Sequence, residues 1–109
     1  MTADGILFLH AFPLDARMWA PQRAAFAQET KVVAVTLPGF GGTAAAGQVM
    51  PMEAAAEKAA VAARRAGLRR AVVCGLSMGG YVALALWRHN RDVEREREEA
   101  LPESQRSEW

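Results

Sequence analysis

The chain has 109 residues, 51% of them apolar, and a formal net charge of +1, enough for the core of one small domain. So even a charge balance speaks against nucleic acid or a membrane surface as partner. The single cysteine, Cys74, excludes an intrachain disulfide and fits a reducing compartment. The first residues show no basic segment followed by a long apolar stretch and a cleavage site, and no run reaches the length of a membrane-spanning helix, so a cytoplasmic protein is expected.

In chain order, residues 6–9 (Ile-Leu-Phe-Leu) form a continuous apolar run. The lack of alternation predicts a strand buried on both faces, as in a parallel sheet covered by helices. A loop follows from His10, with Asp15 as a candidate helix cap and Met18 and Trp19 as anchors beneath it. Pro21 suits the first turn of a helix running to about Gln28, with Ala24, Ala25 and Phe26 as a modest apolar face. Residues 31–37 cluster Val32, Val33, Ala34 and Val35 into a second buried strand. It ends in a glycine-rich loop, Pro38-Gly39-Phe40-Gly41-Gly42-Thr43, which lacks the Gly-Lys-Ser/Thr ending that a phosphate-binding loop requires. Residues 44–50 are of low complexity and show no clear pattern.

Pro51 and Gly67 bracket the next helix, with the expected proline-first, glycine-last asymmetry. Eight alanines between them give it high propensity and let it approach the sheet closely. Arg64, Arg65, Arg69 and Arg70 cluster at its end and read as solvated surface complementing the helix dipole.

A third buried strand is expected over residues 71–74, with Cys74 as a small buried hydrophobe. It runs into Gly75-Leu76-Ser77-Met78-Gly79 and then an apolar helix from about Met78 to Trp87. Strand, sharp turn and helix turn this G-x-S-x-G pattern into a nucleophile elbow. Ser77 is expected at the tip in strained backbone geometry. Gly75 and Gly79 are needed where strand and helix come too close for a side chain. The positive end of the helix favours negative charge beside the hydroxyl. After Trp87 the sequence carries five arginines and seven acids with few apolar residues. Residues 1–88 are therefore read as the folded unit and residues 89–109 as a charged helix end passing into a disordered tail.

Three motifs together resemble the N-terminal part of the α/β-hydrolase fold family, in its order and across about residues 5–88. These are His10-Ala11-Phe12-Pro13-Leu14-Asp15 with Met18-Trp19, then Leu37-Pro38-Gly39-Phe40-Gly41 with Thr43, then the elbow. Small carboxylesterases and enol-lactone hydrolases are the nearest members in character. Ala11 stands where that family usually has glycine, and Thr36 where it often has aspartate. The resemblance implies a partial α/β-hydrolase fold: three layers, with a short parallel sheet of about three strands and flanking helices. It implies Ser77 as the nucleophile and the backbone N–H groups of Phe12 and Met78 as the oxyanion hole. The substrate would be a small ester, thioester or lactone cleaved through an acyl-serine intermediate. No cofactor is implied.

A serine needs a base and an orienting acid, which in this fold follow the serine in the chain. The one histidine after Ser77 is His89, twelve positions on, about 18 Å along a continuous helix at ~1.5 Å per residue. His10 precedes Ser77 and is expected to shape the loop rather than to act as base. The chain therefore reads as a truncated hydrolase, inactive alone, whose bare sheet edges invite self-association. The alternative is a non-catalytic remnant of the same fold. Two further readings fail on spacing: the glycines do not match the dinucleotide-binding fingerprint, and two isolated histidines with one cysteine give no metal site.

Overall fold

A computed structural model of the protein describes residues 3–42, 51–99, 102 and 104, with side chains described up to Asn90 and at residues 102 and 104. Three parallel strands form one sheet: β1 (Gly5–Leu9), β2 (Lys31–Val35) and β3 (Ala71–Gly75), in the order β2-β1-β3. The register is even, with Gly5 opposite both Lys31 and Ala71 and Leu9 opposite both Val35 and Gly75. A 3₁₀ turn (Ala16–Trp19) and α1 (Ala20–Phe26) join β1 to β2, α2 (Met52–Arg65) precedes β3, and α3 (Met78–Glu99) follows it.

The central strand explains the layering. Its side chains alternate between the two faces of the sheet. Leu7 and Leu9 point into a core built with Ala55, Ala56, Ala59, Ala60 and Ala63 of α2 and Val82, Ala85 and Leu86 of α3. Phe8 points the other way and stacks on Trp19 at 4.7 Å between ring centroids. Five alanines of α2, Ala55, Ala56, Ala59, Ala60 and Ala63, recur at helical spacing and are buried. Each contributes little more than a methyl group, about 0.8 kcal/mol. What they provide is close approach: α2 and α3 both lie on one face of the sheet, while the 3₁₀ turn sits over the other.

The helix brackets match the sequence. Pro51 is the N-cap of α2, and Gly67 follows it with φ of +89°, a conformation suited to glycine. Arg64, Arg65, Arg69 and Arg70 are all exposed. The sequence did not announce the role of Asp4. Its carboxylate accepts from the backbone N–H of Arg69 at 2.8 Å and of Arg70 at 3.1 Å, and its own N–H donates to the Arg70 carbonyl at 2.9 Å. This ties the start of β3 to the start of β1. The Arg69 N–H, with that of Arg70, holds the Asp4 carboxyl below its usual range.

Three expectations need correction. Neither outer strand is buried: no residue of β2 is, and on β3 Val72 is 56% exposed and Val73 38%. Cys74 is exposed as well, not a buried hydrophobe. β3 is an edge strand, and among the described residues nothing packs over its outer side. The proposed apolar face of α1 is also absent, since none of that helix's residues is buried and Phe26 is 41% exposed. A seven-residue helix held at one end by Trp19 has too little length to turn a face onto the sheet. α3 continues past Trp87 to Glu99, through the residues read as a charged helix end. Thr43, residues 44–50 and most of the expected tail lie outside the described residues. No described helix is long and apolar enough to cross a membrane.

Candidate active site

Ser77 sits at the corner between β3 and α3. The sheet ladder continues to the lip of the corner, where the Leu76 N–H donates to the Leu9 carbonyl at 3.2 Å. The chain then reverses. Gly79 N–H donates to Leu76 O at 2.9 Å, and Gly80 and Tyr81 N–H donate to Ser77 O at 2.9 and 3.3 Å. Ser77 has φ of +55°, and it is the one non-glycine residue at positive φ among those described. That conformation is uncommon for a residue with a Cβ and marks stored strain. The side chain is exposed.

The two flanking glycines make the corner possible. A Cβ on Gly75 would collide with the Gly79 carbonyl, and one on Gly79 with the carbonyl of Leu9, while also lying 2.8 Å from that of His10. The first turn of α3 thus rests against the last residues of β1. This brings Met78 to the same end of the sheet as the loop that leaves β1. In open parallel sheets, ligand sites gather at this carboxyl end of the strands.

That loop is pinned from several sides. His10 is fully buried, and its Nε2 accepts from the Leu37 N–H at 3.0 Å. A backbone N–H can only donate, so Nε2 carries no proton. Nδ1 then donates to the Ala11 carbonyl, 3.1 Å away. With both ring nitrogens engaged, His10 binds the loop after β1 to the loop after β2 and is no base for Ser77. Ala11 is buried, and its N–H donates to Met18 Sδ at 3.2 Å. Thr36 Oγ1 accepts from the Ala16 N–H at 3.1 Å, a task the sequence did not suggest for it. Asp15 caps the 3₁₀ turn, accepting from the Arg17 N–H at 2.9 Å and pairing with the Arg17 guanidinium at 2.7 Å. The Arg17 side chain, more than its backbone N–H, holds the Asp15 carboxyl down to about 2. Gly41, at φ of +56°, lets the second loop close on the first: a Cβ there would sit 2.9 Å from Asp15 Cβ.

With these bonds assigned, the N–H groups of Phe12 and Met78 have no acceptor among the described residues. They belong to the two segments that meet at the end of β1. The Phe12 ring is 68% exposed and lies edge-on to Phe40 at 5.7 Å, while Phe40 lies edge-on to His10 at 5.2 Å. The Phe12–Pro13 peptide bond is cis. His89 is exposed on α3, twelve residues beyond Ser77. Among the described residues no group of three His, Cys, Asp or Glu side chains is placed to hold a metal ion. A groove of about 780 Å³ lies away from Ser77, lined by Leu68, Ala71 and Val73 and by Ala83, Leu84 and Trp87 of α3, among others.

Comparison with known proteins agrees with this fold. The profile of the alpha/beta hydrolase family matches residues 6–101. No curated protein matches the chain. Among solved structures, a thermophilic esterase from Thermogutta terrifontis with malate bound is 42% identical, with a TM-score of 0.75. The match covers 81% of this chain and 33% of the esterase, so the chain spans about a third of that protein's length. The parallel sheet with its flanking helices corresponds to part of the same fold, and the chain belongs to the alpha/beta hydrolase family.

Proposed function

We propose that this chain carries the nucleophile and oxyanion half of a serine hydrolase acting on small esters, thioesters or lactones, and that it does not turn over substrate alone. Ser77 Oγ attacks the acyl carbonyl. The N–H groups of Phe12 and Met78 receive the oxygen on which charge develops, and the N-terminal end of α3 adds its field. The observation that carries this reading is the strained +55° φ of Ser77 at a glycine-flanked corner. A residue is held there only when the surroundings over-determine it, as sites for chemistry do. The resemblance to an esterase at 42% identity supports the ester class.

The base is the missing part. His10 is committed to Leu37 and Ala11, and His89 is too far along α3. An unassisted serine hydroxyl is a weak nucleophile, so the chain by itself has the pocket chemistry without the proton transfer. A fluorophosphonate probe tests this, with Ser77→Ala as the control. The expected result is labelling no faster than that of the Ala variant. Rapid labelling that depends on Ser77 would mean that a base is already assembled, and would overturn the claim of inactivity while keeping the nucleophile. The second reading, a remnant with no chemistry at all, is favoured by the same lack of a base. Restoring a histidine and an acid by adding the matching later part of a related esterase separates the two. Recovered Ser77-dependent hydrolysis supports the nucleophile, and none supports the remnant.

A further inference from the structure

We propose that His10 is a positioning residue gated by a proton: it holds the loop of Phe12 against the loop after β2 only while its imidazole is neutral, and protonation of the ring releases that hold. The direction of one hydrogen bond leads there. Nε2 accepts from the Leu37 N–H at 3.0 Å, and Nδ1 donates to the Ala11 carbonyl at 3.1 Å. A protonated imidazole is a donor at both nitrogens. The Nδ1 bond survives protonation, but Nε2 then aims a proton at the Leu37 N–H, donor against donor. The closed ring has no water to turn to, since it is fully buried with Phe40 edge-on at 5.2 Å. A buried cation stripped of a partner is among the costliest groups a protein can hold. The contact between the two loops is therefore what gives way, and opening it lets the imidazolium reach solvent.

The charges around the ring leave His10 as the group that changes. β1 carries no titratable side chain, and neither do residues 37–42 of the loop after β2. α3 reaches His10 through Gly79, whose Cβ would lie 2.8 Å from the His10 carbonyl, and the first titratable side chain of that helix, Tyr81, is 68% exposed. The 3₁₀ turn supplies the charge. Asp15 is mostly covered and pairs with Arg17 at 2.7 Å, and its carboxylate lies close enough to attract a cation at His10. With Asp15 held down to about 2, its negative charge persists through the mildly acidic range. Imidazole is the side chain that ordinarily titrates between about pH 5 and 8, so in that range this cluster changes charge at His10 alone.

Both N–H groups assigned to the oxyanion depend on this residue's place. Phe12 follows His10 by two residues, and Gly79, next to Met78, rests against the His10 carbonyl. On the reading of Phe12 and Met78 as the oxyanion site, on which the chemical consequence rests, release of the loop moves one donor relative to the other. A misplacement of about 1 Å in a catalytic group can cost on the order of a hundredfold in rate. Acid would thus disable the site through the oxyanion donors, separately from any base that serves Ser77.

Nitrogen-15 spectroscopy of the whole chain tests the proposal. At neutral to mildly alkaline pH, His10 should show a protonated Nδ1 and a bare Nε2. Amide hydrogen exchange then reads the latch. Opening takes up one proton, so the ratio of open to closed should rise up to tenfold per pH unit below about 6.5, where free imidazole titrates, and roughly a hundredfold by about pH 4.5. Protection of the Leu37 amide, corrected for intrinsic exchange, should fall by that factor while the amides of β1 keep theirs. His10→Gln, whose amide oxygen accepts the same bond and does not titrate, should hold Leu37 protection flat with pH. His89→Gln, at the only other histidine, should leave the parent's profile unchanged. A proton on Nε2 at neutral pH would overturn the proposal, and so would Leu37 protection in the parent that ignores pH. A fall shared equally by β1, which is unfolding of the domain, or the same fall in His10→Gln would overturn it too. The parent chain alone decides the first three outcomes, so the test stands if the glutamine variant does not fold. None of these readouts involves Ser77, so failure of Ser77-dependent hydrolysis would count against the proposed function and not against the latch.

Discussion

Gly79 and Gly80 are neighbours in the first turn of α3, yet replacing each with alanine should have opposite effects. In a helix, alanine is favoured over glycine by about 0.5–1 kcal/mol, mainly through backbone entropy. At Gly80 little opposes that gain. The added Cβ would meet only the Gly75 carbonyl, at 3.7 Å, an ordinary contact. At Gly79 it would be driven into the carbonyl of Leu9 and stand 2.8 Å from that of His10. These are backbone atoms at the end of the central strand and cannot swing aside as a side chain would, so α3 must back away from β1. A gap of about 0.5–1 Å forfeits a quarter to a half of the dispersion attraction across a packed surface. α3 contributes Val82 and Leu86 to the core, both almost fully buried. Such side chains are worth about 1.5–3 kcal/mol each, so the withdrawal costs on the order of 1–3 kcal/mol. The clash outweighs the propensity gain, which both variants share, so they should differ by the cost of the clash, about 1–3 kcal/mol. For a domain of this size 1 kcal/mol moves the melting temperature by roughly 4–8 °C. Thermal and urea unfolding followed by far-UV circular dichroism would show Gly80→Ala melting above the parent chain and Gly79→Ala well below it. If the two alanine variants melt together, the close approach of α3 to β1 is not what requires a glycine at position 79.

Substitutions at three further positions probe the loop that carries Phe12. His10→Ala removes the acceptor that Nε2 offers to the Leu37 N–H and opens a cavity, for a loss of about 2–4 kcal/mol in urea unfolding. His10→Gln, whose amide oxygen can accept the same bond, should recover part of it, and equal losses would refute the hydrogen-bond argument. The Asp15 carboxyl is held at about 2, below its ordinary 3.8, so its contribution is complete above about pH 4 and lost as the pH falls toward 2. Asp15→Asn should flatten that limb of the stability profile, and parallel profiles for the two proteins would contradict the assignment. Thr36→Val keeps the side-chain shape but removes the acceptor for the Ala16 N–H, and should cost about 0.5–1.5 kcal/mol in the same unfolding assay.

The parts of the fold that the sequence disclosed were those governed by local rules. Two glycines around a serine, between an apolar run and an apolar helix, allow few backbone paths, and the strained corner at Ser77 follows from them. The cap at Asp15, the anchors Met18 and Trp19, and the Pro51 and Gly67 brackets of α2 are equally local. The contacts that escaped notice join residues distant in the chain. Asp4 accepts from the backbone of Arg69 and Arg70, and Thr36 from that of Ala16, and no spacing rule relates such pairs. The misjudged burial of β3 has a different origin. Residues 71–74 are as apolar as residues 6–9, and the same inference of cover on both faces was drawn for each. It holds for β1, which has a strand on either side, α2 and α3 on one face and Trp19 on the other. It fails for β3, where Val72 and Cys74 face outward. The apolarity of a strand measures how much surface would gain from being covered. What covers it is decided by elements elsewhere in the chain or on another molecule, and composition cannot distinguish a strand already enclosed from one still exposed.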